Sequence, residues 1–270
     1  VINKSNDSDF HNSILISTNN TAPTLSNASG ALDNIFIGNG SGGDSATTFA
    51  LSTGDENIVI GNGSFGSALS AKGNIVLGKT VGSAITTGLY NILIGNNTAN
   101  ALDTGNYNVV IGRNACGNSA TTASNNVILG DLAGNLLQTG SKNVLIGKSA
   151  GAALTTTDDT VAIGASAAAA TTVGQYNTAV GYESLKTNID GDKNTSVGYH
   201  SLYTMEPSSD EGNNTAVGYN AGKQVTTGTN NTLLGSESGL TSAIVSSGTL
   251  DANGNSTTLF TLESGQNTND

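Results

Sequence analysis

Tryptophan is absent from this 270-residue chain, aromatic residues make up 4% of it, and cysteine and methionine occur once each. A conventional core is built from large side chains, each worth about 1.5–3 kcal/mol when buried. With so few available, burial has to come from many small, repeated contacts. Basic residues are also scarce, nine Lys plus Arg against 20 Asp plus Glu, for a formal net charge of −11. Binding through phosphates needs a basic patch, so no nucleic-acid partner is expected. An acidic surface favours solubility and is repelled by anionic membranes. No apolar run approaches the ~20 residues of a membrane span, so no membrane insertion is expected. Cys116 stands alone, which excludes an internal disulfide but does not fix a redox compartment. The chain opens at Val1 without a visible signal peptide, which suggests a mature or excised piece.

What is present is glycine, 36 residues of it, with Ser, Thr, Asn and Ala. Such a composition reads first as disorder, but a regular phrase argues against that. Asn, three mostly apolar residues and Gly recur as NIFIG at Asn34, NIVIG at Asn57, NIVLG at Asn74, NILIG at Asn91, NVVIG at Asn108, NVILG at Asn126 and NVLIG at Asn143. TVAIG at Thr160 has lost the Asn; NTAVG at Asn177, NTSVG at Asn194, NTAVG at Asn214 and NTLLG at Asn231 complete 12 copies. Successive starts lie 23, 17, 17, 17, 18, 17, 17, 17, 17, 20 and 17 residues apart. The period is 17, and the long gaps, near Gly43–Gly54 and Met205–Gly212, read as surface insertions.

The phrase is β-branched and ends in Gly, as a strand does. With Asn as position zero, positions one and three share a face and position two points the other way. Both faces are apolar: position three holds Ile37 to Leu234 without exception, and position two runs from Phe36 to Leu233 with only Ser196 polar. Position one changes from Ile or Val to Thr at Thr178, Thr195, Thr215 and Thr232. Position seven is small, and Thr-Gly turns such as Thr104-Gly105 and Thr139-Gly140 suit corners. Each copy is therefore expected to be one coil: strand, corner, short second strand, return turn. One coil alone would order 17 residues at about 1–2 kcal/mol each for two or three buried side chains. Stacking removes the deficit. The expectation is an all-β parallel solenoid, or β-roll, of about 12 coils over residues 34–240, roughly 58 Å long at a strand spacing of ~4.8 Å. Residues 1–33 are read as an N-terminal cap or junction containing a degraded copy at Ile14-Leu15-Ile16 and a loop at Asn19–Ala28. Residues 241–270 are read as a hairpin or a junction to a further segment.

Aligned amides at Asn57, Asn74, Asn91, Asn108, Asn126, Asn143, Asn177, Asn194, Asn214 and Asn231 are expected to form a structural ladder. A strand apolar on both faces is normally covered on both, and a bare stripe of several hundred Å² or so is rare on soluble monomers. The simplest cover is a sister chain related by symmetry. Homo-oligomerisation is therefore expected.

The phrases NTAVGYNAG (Asn214–Gly222) and NTAVGYESL (Asn177–Leu185) resemble repeats of trimeric autotransporter adhesin heads, and equally the repeat regions of phage and viral tail fibres. The resemblance covers about residues 34–240. It implies a left-handed parallel β-roll, trimerisation about a fibre axis, a virion or extracellular location, and other fibre or baseplate proteins with a host-surface glycan or protein receptor as partners. In the adhesin heads the Asn stands one residue further from the Gly and the period is shorter.

Chemistry is thinly represented. His11 and His200 have no nucleophile phrase beside them, GNGSGG at Gly38–Gly43 lacks the lysine of a phosphate loop, and the GGxGxD calcium repeat is missing. No enzyme activity, cofactor or metal is expected. Tyr182, Tyr199 and Tyr219 occupy position five on successive coils, and Glu183, His200, Asn220 and Glu237 occupy position six. These are candidates for a recognition surface or a polar rim, with an aromatic ladder as the structural alternative. Cys116 is expected to be a buried, inert thiol. Two other readings stand beside the fibre. An ice-binding solenoid is suggested by Thr86-Thr87, Thr156-Thr157, Thr171-Thr172 and Thr226-Thr227. A glycan depolymerase would use Glu183 and Glu237.

Overall fold

The structure, a computed structural model, describes residues 2–3, 13–16, 24–25, 33–41, 48–49, 53–67, 70–117, 122–206 and 211–239. The insertions at Gly43–Gly54 and Met205–Gly212 lie largely outside these residues, and the C-terminal segment 241–270 and His11 lie wholly outside them.

All 12 copies of the phrase form strands, from Ile35–Ile37 to Thr232–Leu234, in one parallel sheet whose strand order follows the sequence. Registers are exact repeats: Val127 faces Val144, which faces Val161. The chain is a β-solenoid with a 17-residue period. Ile14–Ile16 adds a further parallel strand before Ile35–Ile37, and Ile2–Asn3 pairs antiparallel with it. Within the stretch read as a loop, Thr24–Leu25 pairs in parallel with Thr48–Phe49.

Position two points inward. Val59, Val76, Leu93, Ile128 and Leu145 are fully buried, whereas positions one and three are half-buried on the outer face. Positions seven and eleven complete the interior, with Ala115, Ala133 and Ala150 at seven and Ile85, Leu102, Leu137, Leu154 and Met205 at eleven. Cys116, at position eight, is buried, and burial pushes its thiol up to about 12.

The amide column closes each coil and joins it to the next. The Asn91 side-chain oxygen accepts from both the backbone N–H and the side-chain N–H of Asn108, at 2.9 and 3.0 Å. The Asn91 Nδ2 in turn donates to Asn74 Oδ1 at 3.0 Å and to the Gly105 carbonyl at 2.9 Å. The closing carbonyl stands three residues before the next Asn even where the coil is longer: Asn34 reaches Gly54, and Asn108 reaches Ala123. Ser13 begins the column, accepting from the Asn34 N–H at 3.1 Å. Thr160 interrupts it. Its N–H donates to Asn143 Oδ1, but its own hydroxyl is buried without a partner.

The short second strand expected after the corner is not there. Apart from Thr48–Phe49 and the isolated parallel bridges Lys72 to Leu89 and Asp192 to Glu211, the described path from position six onward is built of turns and bends. Its backbone still hydrogen-bonds from coil to coil, because left-handed residues recur at positions minus one, six and eight. In the Asn91 coil these are Tyr90 (φ 55°), Asn97 (φ 52°) and Ala99 (φ 46°). The Asn97 N–H points back to the Lys79 carbonyl, and the Ala99 N–H points forward to the Ala115 carbonyl. Left-handed backbone costs roughly 1–2 kcal/mol per L-residue, and buried amides left unpaired would cost about as much or more. The stack keeps the strained residues because the alternative loses the ladder. The Gly at position four has a further reason. At Gly147 the φ is 131°, and an added Cβ would sit 2.6 Å from the Gly164 carbonyl in the next coil.

In three coils large and small side chains trade places between positions two and eight, whereas Val59 and Phe65 are both large and Ala162 and Ala168 both small. Leu145 pairs with Gly151, whereas Ala179 pairs with Leu185 and Ser196 with Leu202. A Cβ on Gly151 would lie 2.8 Å from Leu145 Cδ2. Ala179→Leu should destabilise by about 1–3 kcal/mol through overpacking and Leu185→Ala by about 2–4 kcal/mol through a cavity. The double variant should cost clearly less than the sum in urea unfolding; strict additivity would show that the two positions do not share space. For the amide column, Asn126→Ala should cost at least about 3 kcal/mol and Thr160→Asn should add about 1–3 kcal/mol. The same urea midpoints report both, and an unstable Thr160→Asn would contradict the ladder geometry.

Candidate recognition surface

Beyond the position-four corner the chain leaves the sheet, and position five becomes an exposed column. It carries Lys79, Asn96, Arg113, Asp131, Lys148 and Ala165, then the three tyrosines. Arg113 and Asp131 pair at 2.9 Å. Tyr182, Tyr199 and Tyr219 stack face to face, with centroids 5.4 and 5.3 Å apart and planes within 11° and 10° of parallel. They stay 48, 43 and 51% exposed. The parallel register dictates this arrangement, since identical side chains on successive coils repeat at about the strand spacing. A second stack, Tyr90 on Tyr107 at 5.5 Å, stands at position minus one.

Position six adds a polar hub beside the stack. Glu183 Oε1 accepts from Lys186 Nζ at 2.8 Å, and Glu183 Oε2 meets His200 Nε2 at 3.0 Å. The His200 ring lies 3.9 Å from that of Tyr199 and 4.8 Å from that of Tyr203. Lys186 Nζ also stands 5.4 Å over the Tyr203 ring. The hydrogen bond from Lys186 holds the Glu183 carboxyl below the ordinary carboxylate range, and the same contact raises the Lys186 ammonium. The Glu183 charge pushes the Tyr182 phenol up. His200 Nδ1 and Asn220 Oδ1 are buried without partners. Glu237 is exposed two coils beyond His200 and is not in contact with the hub.

Lys186 and Tyr203, both at position nine, belong to this cluster although neither stood out in the sequence. Their signal was available: position nine follows position six by three residues, and the two occur on successive coils.

The geometry bears on the two catalytic and ice-face readings. Glu183 and Glu237 are three coils apart, about 14 Å at the strand spacing, beyond the ~5–9.5 Å that paired glycosidase carboxylates require. Glu183 is moreover occupied by Lys186 and His200. In three of the four pairs one threonine hydroxyl is turned to an internal partner, Thr86 to Asp103, Thr157 to the Thr172 carbonyl and Thr171 to the Asn188 carbonyl, while Thr87, Thr156, Thr226 and Thr227 are exposed. Among the described residues no group of three or more His, Cys, Asp or Glu side chains is placed to hold a metal ion. Among the same residues no helix is long and apolar enough to cross a membrane. No family model matches the chain, and neither a curated protein nor a solved structure shows significant similarity to it.

Glu183 gives the cluster a pH signature. Its folded-state value lies below its unfolded one, so its contribution is complete above the ordinary carboxylate range and is lost as pH falls through the depressed value. Melting temperature measured from pH 6 down to pH 2.5 should therefore fall less steeply for Glu183→Gln than for the parent. Identical acid limbs would show that the Lys186 and His200 contacts contribute nothing.

Proposed function

We propose that the chain is a structural and attachment segment of a surface fibre, of the kind found in viral tail fibres, assembled from sister copies and carried on a virion or cell exterior. The observation that carries this reading is the outer face of the sheet. Ile58 and Ile60, Ile75 and Leu77, Ile92 and Ile94, Val109 and Ile111, Val127 and Leu129 point outward on successive coils. Ile60 and Ile111 are each 37% exposed. The stripe continues through Val144, Ile146, Val161 and Ile163, and then through Thr178 and Val180. Such a face is long and repetitive, and it suits a symmetric partner better than a small ligand.

Stable interfaces bury on the order of 800 Å² per partner, an area that a stripe two apolar residues wide and a dozen coils long can supply. A rod whose interior is sealed by its own coils and whose flank is sealed by copies of itself transmits force along its length and presents its corners outward. The corners are where the tyrosine stacks stand, and they are assigned to attachment. The resemblance to adhesin heads and tail-fibre repeats, which rests on the repeat phrases, favours three copies.

Analytical ultracentrifugation at about 10 μM should give three times the chain mass of 26.9 kDa, and the paired substitutions Ile94→Glu and Ile111→Glu should return it to a folded monomer. A parent chain that sediments as a monomer over the whole accessible concentration range would end this reading.

A further inference from the structure

The tyrosine stack ends abruptly. On the side of Tyr182 away from Tyr199, the preceding coil puts Ala165 at position five, Ser166 at six and Ala169 at nine, where the Tyr182 coil has Tyr182, Glu183 and Lys186. One coil further back, position five is Lys148, which is exposed and has no ion pair among the described residues. A notch one coil wide results. Its floor is small, one wall is the outer ring face of Tyr182, and the other is a lysine. The two walls rise from strands two spacings apart, about 9.6 Å. That leaves room for one ring laid flat on the tyrosine, and for the four-carbon stem of Lys148 to lean over it.

We propose that this notch binds an acidic pyranose of a surface glycan, its C–H face against Tyr182 and its carboxylate on Lys148. The wall chemistry selects this ligand class. An aromatic face takes an apolar ring face and leaves the ring's edge groups in water. The edge of the notch is polar: the Ser166 hydroxyl is available to sugar hydroxyls, and the Glu183–Lys186 pair offers an acceptor and a donor beside the ring. The ammonium of Lys148 is a mobile point charge on a long stem, suited to an acid group whose position varies along a polymer. The chain's net charge of −11 works against polyanions in general, so recognition has to be local, where a bare lysine faces an uncovered ring across a floor of small residues. The other end of the stack is different, because beyond Tyr219 the next coil carries Ser236 and Glu237 at positions five and six, neither of them basic.

This inference rests on the attachment reading above, and two measurements separate their failures: solution mass tests the assembly, and binding tests the notch. The probe is a uronic-acid oligosaccharide, with a neutral glucan oligosaccharide of equal length as comparison, titrated by calorimetry into the full chain at low and moderate salt. The uronate should bind more tightly than the glucan by about tenfold, and the difference should shrink as salt rises. Lys148→Gln should remove that preference and leave the solution mass unchanged. Ala165→Tyr, which continues the stack and covers the Tyr182 face, should abolish binding of both probes, while Tyr219→Ala should leave binding unchanged. Uronate binding that survives Ala165→Tyr, equal affinity for the two probes, or no binding by a correctly assembled chain would each overturn the proposal.

Discussion

Every coil of the repeat but the one at Thr160 carries one buried amide at position zero that makes two kinds of bond. Its oxygen binds the following coil, and its nitrogen binds both the preceding coil and the carbonyl that ends its own turn. A coil of 17 residues has no independent stability, because ordering it costs more than its few inward side chains return. The amide column converts that deficit into cooperativity, since no coil can leave without stranding polar groups in its neighbours. This also explains where length is allowed to vary. The closing carbonyl is counted back from the next Asn rather than forward from the last one. Extra residues can therefore enter between position seven and the closing carbonyl without moving the strand, the amide or the position-five column.

From that constraint the interior follows. With the strand and the closing turn fixed, positions two and eight face one interior, and in three coils sequence change there occurs as exchange: Leu145 with Gly151, Ala179 with Leu185, Ser196 with Leu202. The polar exception obeys the same rule of satisfaction. Ser196 Oγ donates to the Ser201 carbonyl at 2.8 Å, and Ser201 Oγ to the Ala216 carbonyl at 3.1 Å, so a hydroxyl replaces a methyl group without an unpaired atom. Thr160, whose buried hydroxyl has no partner, stands on the coil that also carries the Ala-rich surface of the notch.

Most of the architecture was legible because a 17-residue spacing of Asn, apolar triplet and Gly admits few other foldings. The strand bounds, the parallel order and the small position seven followed from spacing alone. Three features did not. Which apolar face turned inward was undetermined, since Ile, Val and Leu occupy both until position one becomes Thr at Thr178. The left-handed columns were hidden because Tyr90, Lys142, Asp159, Leu132 and Leu185 hold conformations that sequence reading reserves for Gly and Asn. The second strand was expected for the same reason: coil-to-coil hydrogen bonding was correctly anticipated, but it is made by residues whose peptide planes alternate through positive φ. At the surface cluster, the spacing placed Tyr182, Tyr199 and Tyr219 on one line, while Lys186 and Tyr203 share position nine on successive coils but differ in residue type, so that column did not stand out as the tyrosines did.

The same regularity that builds the rod limits what it can do. A surface generated by translation offers every ligand many nearly equivalent positions, so specificity has to come from the coils where the repeat is broken. In this chain the breaks coincide. The Asn column lapses at Thr160, the outer face becomes half threonine at Thr178, the interior exchanges large for small at Ala162, and the exposed column changes from polar to aromatic at Tyr182. None of these changes is needed for stacking, because the coils before them stack without any of them. In the fibre proposed above, the uniform coils would supply length and a self-complementary flank, and the coils around and after Thr160, with Lys148 beside them, would supply an address.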